Sequence, residues 1–266
     1  MAIPIALIVV FAHILGDFLV SDGAVWRIPL YKTKIPLYKR EQPTVPKKPP
    51  DYCDKALCPR GVRHICCSAK FVNLNMISTL QKWGDNCPKP RKGINMKIHG
   101  AKIMAAHNVL RASLSSAAQR LPMAKPLPML RWDVELAKVA MRVTNFCNDD
   151  TFAKCVNVPR FLNVGRTSYS FETSESAISS FIFSVDKFFK TSLEDFPIES
   201  VTKYADTANA SHRAFAQLAY YKATKMGCGM LVRQENSQSI VYVTCLYNYQ
   251  VRPSQKIYEL ANSRRG

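Results

Sequence analysis

Met129-Leu-Arg-Trp132-Asp-Val-Glu135-Leu-Ala137, running on through Lys138-Val-Ala140, is the stretch of this 266-residue chain that decides its architecture. Asp133 stands where a helix N-cap is wanted. Glu135 puts an acid in the first turn, where free backbone N–H groups and the helix dipole favour negative charge. The stretch therefore opens a helix. Upstream, Ile103, Met104, Ala106, His107, Leu110 and Leu114 recur at helical spacing, which predicts an amphipathic helix over 97–118. Downstream of Thr173, Ile178, Phe181, Ile182, Val185, Phe188 and Phe189 repeat at i, i+3, i+4 and i+7, a third helix. Residues 229–233 and 239–246 alternate and carry β-branched side chains. They flank Gln234-Glu-Asn-Ser-Gln238, so they predict a hairpin. Helices around a small sheet make an α+β domain.

The N-terminus sets the compartment. Residues 3–12 are an uncharged apolar run, too short for a bilayer span of about 20 residues but suited to the core of a secretion signal. Small residues follow, so 1–24 are expected to be a signal peptide cleaved near Gly23 or Ala24. No later segment approaches a transmembrane length. In a secreted protein the nine cysteines become a disulfide framework with one thiol left over. Residues 25–50 hold six prolines, seven basic residues and one acid, Glu41, and repeat Ile-Pro-Leu-Tyr-Lys at Ile28 and Ile35. They read as an extended basic linker. The formal net charge of +18 points to anionic partners. Lys82, Lys89, Arg91, Lys92, Lys97 and Lys102 form the densest basic cluster of the body, and Arg264 and Arg265 close the chain. No nucleic-acid module or aromatic interleaving accompanies these charges, so nucleic acid is not an expected partner.

From Asp51 onward, about four fifths of the chain resembles the CAP superfamily, the cysteine-rich secretory, antigen-five and pathogenesis-related proteins, and within it the insect venom antigen-five branch. The resemblance rests on Asp51-Tyr-Cys53-Asp-Lys-Ala-Leu-Cys58 and His64-Ile-Cys-Cys67, which look like the branch's N-terminal extension. It also rests on His107-Asn108-Val-Leu-Arg111, the 129–137 stretch, Gln217, Gly227-Cys228-Gly229 and Val243-Thr-Cys245-Leu-Tyr-Asn248. It implies a disulfide-stabilised three-layer α-β-α sandwich over 97–252, preceded by a cysteine-rich extension over 51–96 and followed by a basic tail over 253–266. It also implies the pairing Cys53–Cys67, Cys58–Cys155, Cys87–Cys147 and Cys228–Cys245, with Cys66 as the free thiol. A swap of Cys66 and Cys67 stays open, since vicinal cysteines compete for one partner.

Many members of this family have a cleft with two His and two Glu that in some binds zinc. Carried over to this chain, the four places fall at His107, Ala214, Leu162 and Thr191 (or Ser192), so three ligands are lost. His212 is the candidate substitute for Ala214, on the reading that the segment is a strand and residues two apart share a face. No metal or other cofactor and no catalytic residue is therefore expected. Gly-x-Ser-x-Gly contexts and phosphate loops do not occur. Asn209-Ala-Ser211 is an N-glycosylation acceptor in a polar loop. The expected function is a secreted, monomeric, non-enzymatic protein that binds an extracellular protein, an anionic glycan or a small ligand. The rival readings are a sterol or lipid carrier, with Phe181, Phe188 and Phe189 lining a groove, and a secreted hydrolase.

Overall fold

The computed structural model describes residues 51–67, 84, 87, 89–116, 120–148, 154–235 and 238–261. The expected signal peptide, the linker, Lys82 and the Arg264-Arg265 end lie outside the described residues. In chain order the elements are β1 (Arg91–Gly93), α1 (Met96–Ser113), β2 (Arg131–Trp132), α2 (Val134–Thr144), β3 (Gly165–Thr173), α3 (Ala177–Asp195), α4 (Glu199–Thr202), α5 (Ala210–Ala219), β4 (Lys225–Glu235) and β5 (Gln238–Tyr247).

The sheet runs β1-β4-β5-β3, antiparallel throughout, with the two-residue β2 added parallel to β4. The expected hairpin is β4–β5, and its strands are longer than the alternation alone marked. Side chains alternate across it. Met226, Cys228, Met230, Val241, Val243 and Cys245 join α1, α3 and α5 in one core. On the other face Leu246 meets Leu136, Val139, Ala140 and Val143 of α2, together with Tyr52, Leu57 and Ile65 of the segment before β1. The result is a three-layer α-β-α sandwich, with α2 and the extension forming one outer layer.

The Gly227-Cys228-Gly229 triplet sets the approach of α2 to the sheet. A Cβ on Gly227 would lie 2.2 Å from the Ala137 nitrogen, and one on Gly229 would lie 2.3 Å from the Met141 Cα. Any larger residue would push the helix off β4. The helix start is as the sequence predicts: Asp133 Oδ1 accepts from the N–H groups of Glu135 and Leu136, both at 3.0 Å. Arg160 then clamps the cap, donating to Asp133 at 3.0 Å and to Glu135 at 2.9 Å.

α1 stops at Ser113 rather than 118. There the Ser113 hydroxyl donates to the Leu110 carbonyl and the Leu114 N–H turns back to Arg111, while Leu114 dives into the core. Hydroxyls competing for last-turn carbonyls weaken helix continuation. Residues 253–261, assigned to the tail from sequence, are packed against the body. Ile257 and Tyr258 are fully buried, and Tyr221 N–H, Ile257 N–H and Lys125 N–H make backbone bonds to Ile257, Val201 and Glu259.

Four disulfides tie the fold: Cys53–Cys67, Cys58–Cys155, Cys87–Cys147 and Cys228–Cys245. Cys66 is a free thiol. Cys228 and Cys245 face each other directly in the β4–β5 register. Cys58–Cys155 anchors the extension, helped by Ile65 N–H to Cys155 and Cys155 N–H to Arg63. In the chain-entropy account, closing its 97-residue separation stabilises by roughly 4–5 kcal/mol.

Candidate binding cleft

A cleft of about 400 Å³ opens where the start of β3, α5 and the segment after β5 meet. Gln217 forms its inner wall. Its Nε2 donates to the Tyr249 carbonyl at 2.8 Å, and its Oε1 accepts from Val251 N–H at 3.2 Å. Val156, Val164, Val251 and Tyr204 supply an apolar floor, all buried. The rim is cationic: Lys154, Arg166, Arg213 and Arg252 line it against one carboxylate, Asp206. Arg252 is oriented by Asn163, whose Oδ1 accepts from both Nε and Nη2. Arg213 donates to the Thr207 carbonyl, and Asp206 accepts from Thr207 N–H, so both groups are held by one turn.

The four cations come from four separated segments. For that reason sequence reading, which weighed local clusters, did not find them. Of that cluster, Arg91 and Lys92 lie in or beside β1, and Lys97 and Lys102 lie on α1.

None of the places inherited from the resemblance lines this cleft. His107 is enclosed in the core. Its Nδ1 bonds the Ile103 carbonyl at 2.9 Å, and its ring lies 6.4 Å from Phe181 and 6.3 Å from Tyr247. Burial lowers its pKa to about 4, so it is neutral at physiological pH. Leu162 is solvent-exposed, Thr191 is exposed on α3, and Ser192 is buried. Ala214 is the chain neighbour of the lining residue Arg213, and Leu162 that of Asn163, which orients Arg252; neither lines the cleft itself. The strand expected at 211–217 is helix α5, so residues two apart point about 200° apart and His212 does not share a face with Ala214. His212 instead approaches Asp195 at 3.3 Å and sets its ring edge against Phe196.

Zinc does not fit here. Three of the four carried-over ligand places hold aliphatic or hydroxyl groups, the fourth, His107, is enclosed in the core, and the cleft presents cations that repel a divalent cation. Among the described residues no group of three His, Cys, Asp or Glu converges.

Asn209 is the N-cap of α5, not a loop residue: its Oδ1 accepts from Ser211 and His212 N–H groups. The α3 aromatics divide. Phe181 and Phe189 are core residues against Tyr169 and Phe215, and Phe188 is half-buried against Tyr169. Cys66 does not form a thiolate pair. Burial pushes its thiol up to about 12, and the neighbouring His64 uses Nδ1 to accept the Cys66 N–H and Nε2 to bond the Asn157 carbonyl. His64 also stacks on Tyr52 at 4.9 Å, and burial lowers its pKa to about 4.

A disulfide-tied α-β-α sandwich preceded by a cysteine-rich extension defines a class of domain by its fold. The family model described as CAP, the cysteine-rich secretory protein family, matches residues 104–247, and the chain belongs to that family, in its venom-allergen branch. It is 28% identical to Venom allergen-1 of Aedes aegypti over 225 residues, covering 78% of each chain. It is 27% identical to a Venom allergen 3 homolog of Dinoponera quadriceps over 227 residues, covering 79% of this chain and 90% of that one. Among solved structures, NaASP2 with Zn2+ aligns over 65% of this chain and 91% of that one, at 18% identity and a TM-score of 0.49. No helix among the described residues is long and apolar enough to cross a membrane.

Proposed function

We propose that this CAP protein is a secreted, non-enzymatic, monomeric binding protein that captures an anionic group of an extracellular ligand in its basic cleft. The carrying observation is the rim of Lys154, Arg166, Arg213 and Arg252 against the single carboxylate of Asp206. A sulfate or carboxylate at about 4 Å from one such cation gains up to roughly 4 kcal/mol at surface-like dielectric, before desolvation. Arginine forks favour planar and tetrahedral oxyanions. A sulfated or uronate-bearing glycan fits an open, charged rim above a small apolar floor. In this reading residues 1–24 direct secretion, 25–50 add a second basic segment, and Asn209 carries a glycan on its side-chain nitrogen while its oxygen keeps the helix cap.

Calorimetric titration with a heparin-derived oligosaccharide tests the reading. The wild-type chain binds with salt-dependent affinity, and Lys154→Glu with Arg213→Glu weakens binding at least tenfold. Equal affinity in the double variant would sink the cleft. Stoichiometric zinc in the purified protein, or a hydrolytic activity lost with His107→Ala, would sink the non-enzymatic assignment.

A further inference from the structure

Helix α1 is apolar on two sides. Its inner side buries Ile103, His107 and Leu110. Its outer side exposes Ile98, Ala101, Ala105, Val109 and Ala112, with Ile98 and Val109 each 69% exposed. Eleven residues are about three turns, so Ile98 and Val109 lie on one line along the helix.

Asn108 fixes a second strip beside it. Its Nδ2 donates to the Leu130 carbonyl at 3.0 Å, and its Oδ1 accepts from Leu130 N–H at 2.8 Å. The adjoining Met129 is 71% exposed, and Val134 is 59% exposed. Trp132 lies against Gly100, where a Cβ would come within 2.7 Å of the indole.

Along α1 and as far as Trp132 the charge has one sign; beyond it Asp133 and Glu135 flank Val134, both paired with Arg160. The chain carries no acidic residue from Asn86 to Trp132. Lys97, Lys102 and Arg131 are exposed beside the apolar residues. Large apolar side chains in the open, on a convex helix face whose own exposed charges are all cationic, mark an interaction surface rather than scattered surface apolarity. A convex stripe with long, flexible lysines at its edges fits a fluid anionic plane better than a shaped protein partner.

We propose that the outer face of α1, together with the Met129–Val134 edge, docks on an anionic lipid surface. Ile98, Val109 and Met129 enter the boundary between headgroups and acyl chains, and Lys97, Lys102 and Arg131 contact lipid phosphates and carboxylates. This site is separate from the cleft and needs no ligand there.

The test is flotation of the full secreted chain with vesicles of phosphatidylcholine alone or with three parts in ten phosphatidylserine. Partition onto the anionic vesicles is expected to exceed that onto neutral ones at least tenfold. The charge-neutral pair Ile98→Gln and Val109→Gln should lower it by roughly tenfold at an unchanged thermal midpoint. Should that pair misfold, Ala105→Gln on the same line should still weaken partition severalfold. Lys154→Glu with Arg213→Glu should leave partition intact. Equal partition onto both vesicle types overturns the proposal, as does full binding by a folded glutamine variant. Loss of vesicle binding in the cleft variant would assign headgroup contact to the cleft and likewise overturn docking through α1.

Discussion

A methyl group on Gly165 would sit 2.2 Å from Oε1 of Gln217. The first residue of β3 therefore has no side chain because the amide that holds the cleft wall occupies the space. The same Gln217 binds Tyr249 and Val251 through its two ends, so it cannot swing aside without leaving both backbone groups unsatisfied. Gly165→Ala should lower unfolding free energy by roughly 1–3 kcal/mol in urea titration. It should also weaken oligosaccharide binding through the displaced wall. An unchanged midpoint would show that Gln217 repositions freely.

Arg111 is the hub that ties α1 to the end of α5, the same helix that carries Gln217. Its buried guanidinium donates to the carbonyls of Leu218 at 2.6 Å, Tyr220 at 3.0 Å, Pro128 at 2.9 Å and Ala223 at 3.1 Å. Burial lowers its pKa to about 10, so it stays charged under all ordinary conditions. Arg111→Leu strands four buried carbonyls and should cost roughly 3–5 kcal/mol, read as loss of secreted yield and a lower urea midpoint. Arg111→Lys keeps the charge without the planar fork and should recover only part of the loss.

Acid should loosen the fold through its buried histidines. His64 and His107 both have folded pKa values lowered to about 4 by burial, against an ordinary value near 6.5. The unfolded chain therefore binds more protons between those values. Stability contributed by each neutral ring is fully present above pH 6.5 and falls with pH toward 4, by about 1.4 kcal/mol per pH unit per histidine. Urea midpoints measured across pH 7 to 4 should show this slope. His64→Gln should flatten it; an unaltered slope would assign it to other groups.

The Cys66 thiol, raised to about 12, should resist alkylation in the native protein at pH 8. Intact mass after iodoacetamide should show no adduct when folded and one adduct after unfolding without reductant. Labelling of the folded protein would mean that Cys66 exchanges with Cys67 for Cys53.

What was legible in the sequence was local. Asp133 announces α2 because a cap acts within three residues, and alternation announces β4 and β5 because cross-strand neighbours are joined by a short turn. Asn209 offered the same capping signal as Asp133. Read as a polar loop and glycan acceptor, it hid α5 and put His212 on the wrong face. The alternation of Arg166, Ser168, Ser170 and Glu172 with Thr167, Tyr169 and Phe171 likewise marks β3 as a half-exposed strand. The cleft had no such signal. Lys154, Arg166, Arg213 and Arg252 share no period or spacing and meet only through the sheet order and the packing of α5 on β3.

Cys58–Cys155 reaches from the extension across to the segment before β3. One consequence concerns proteolysis. A chain nicked once between Cys67 and Cys87 would still migrate as a single species without reductant, because the severed N-terminal fragment stays bonded at Cys155. A protease that makes this one cut releases neither piece, and on a gel the damage shows only after a thiol reductant is added.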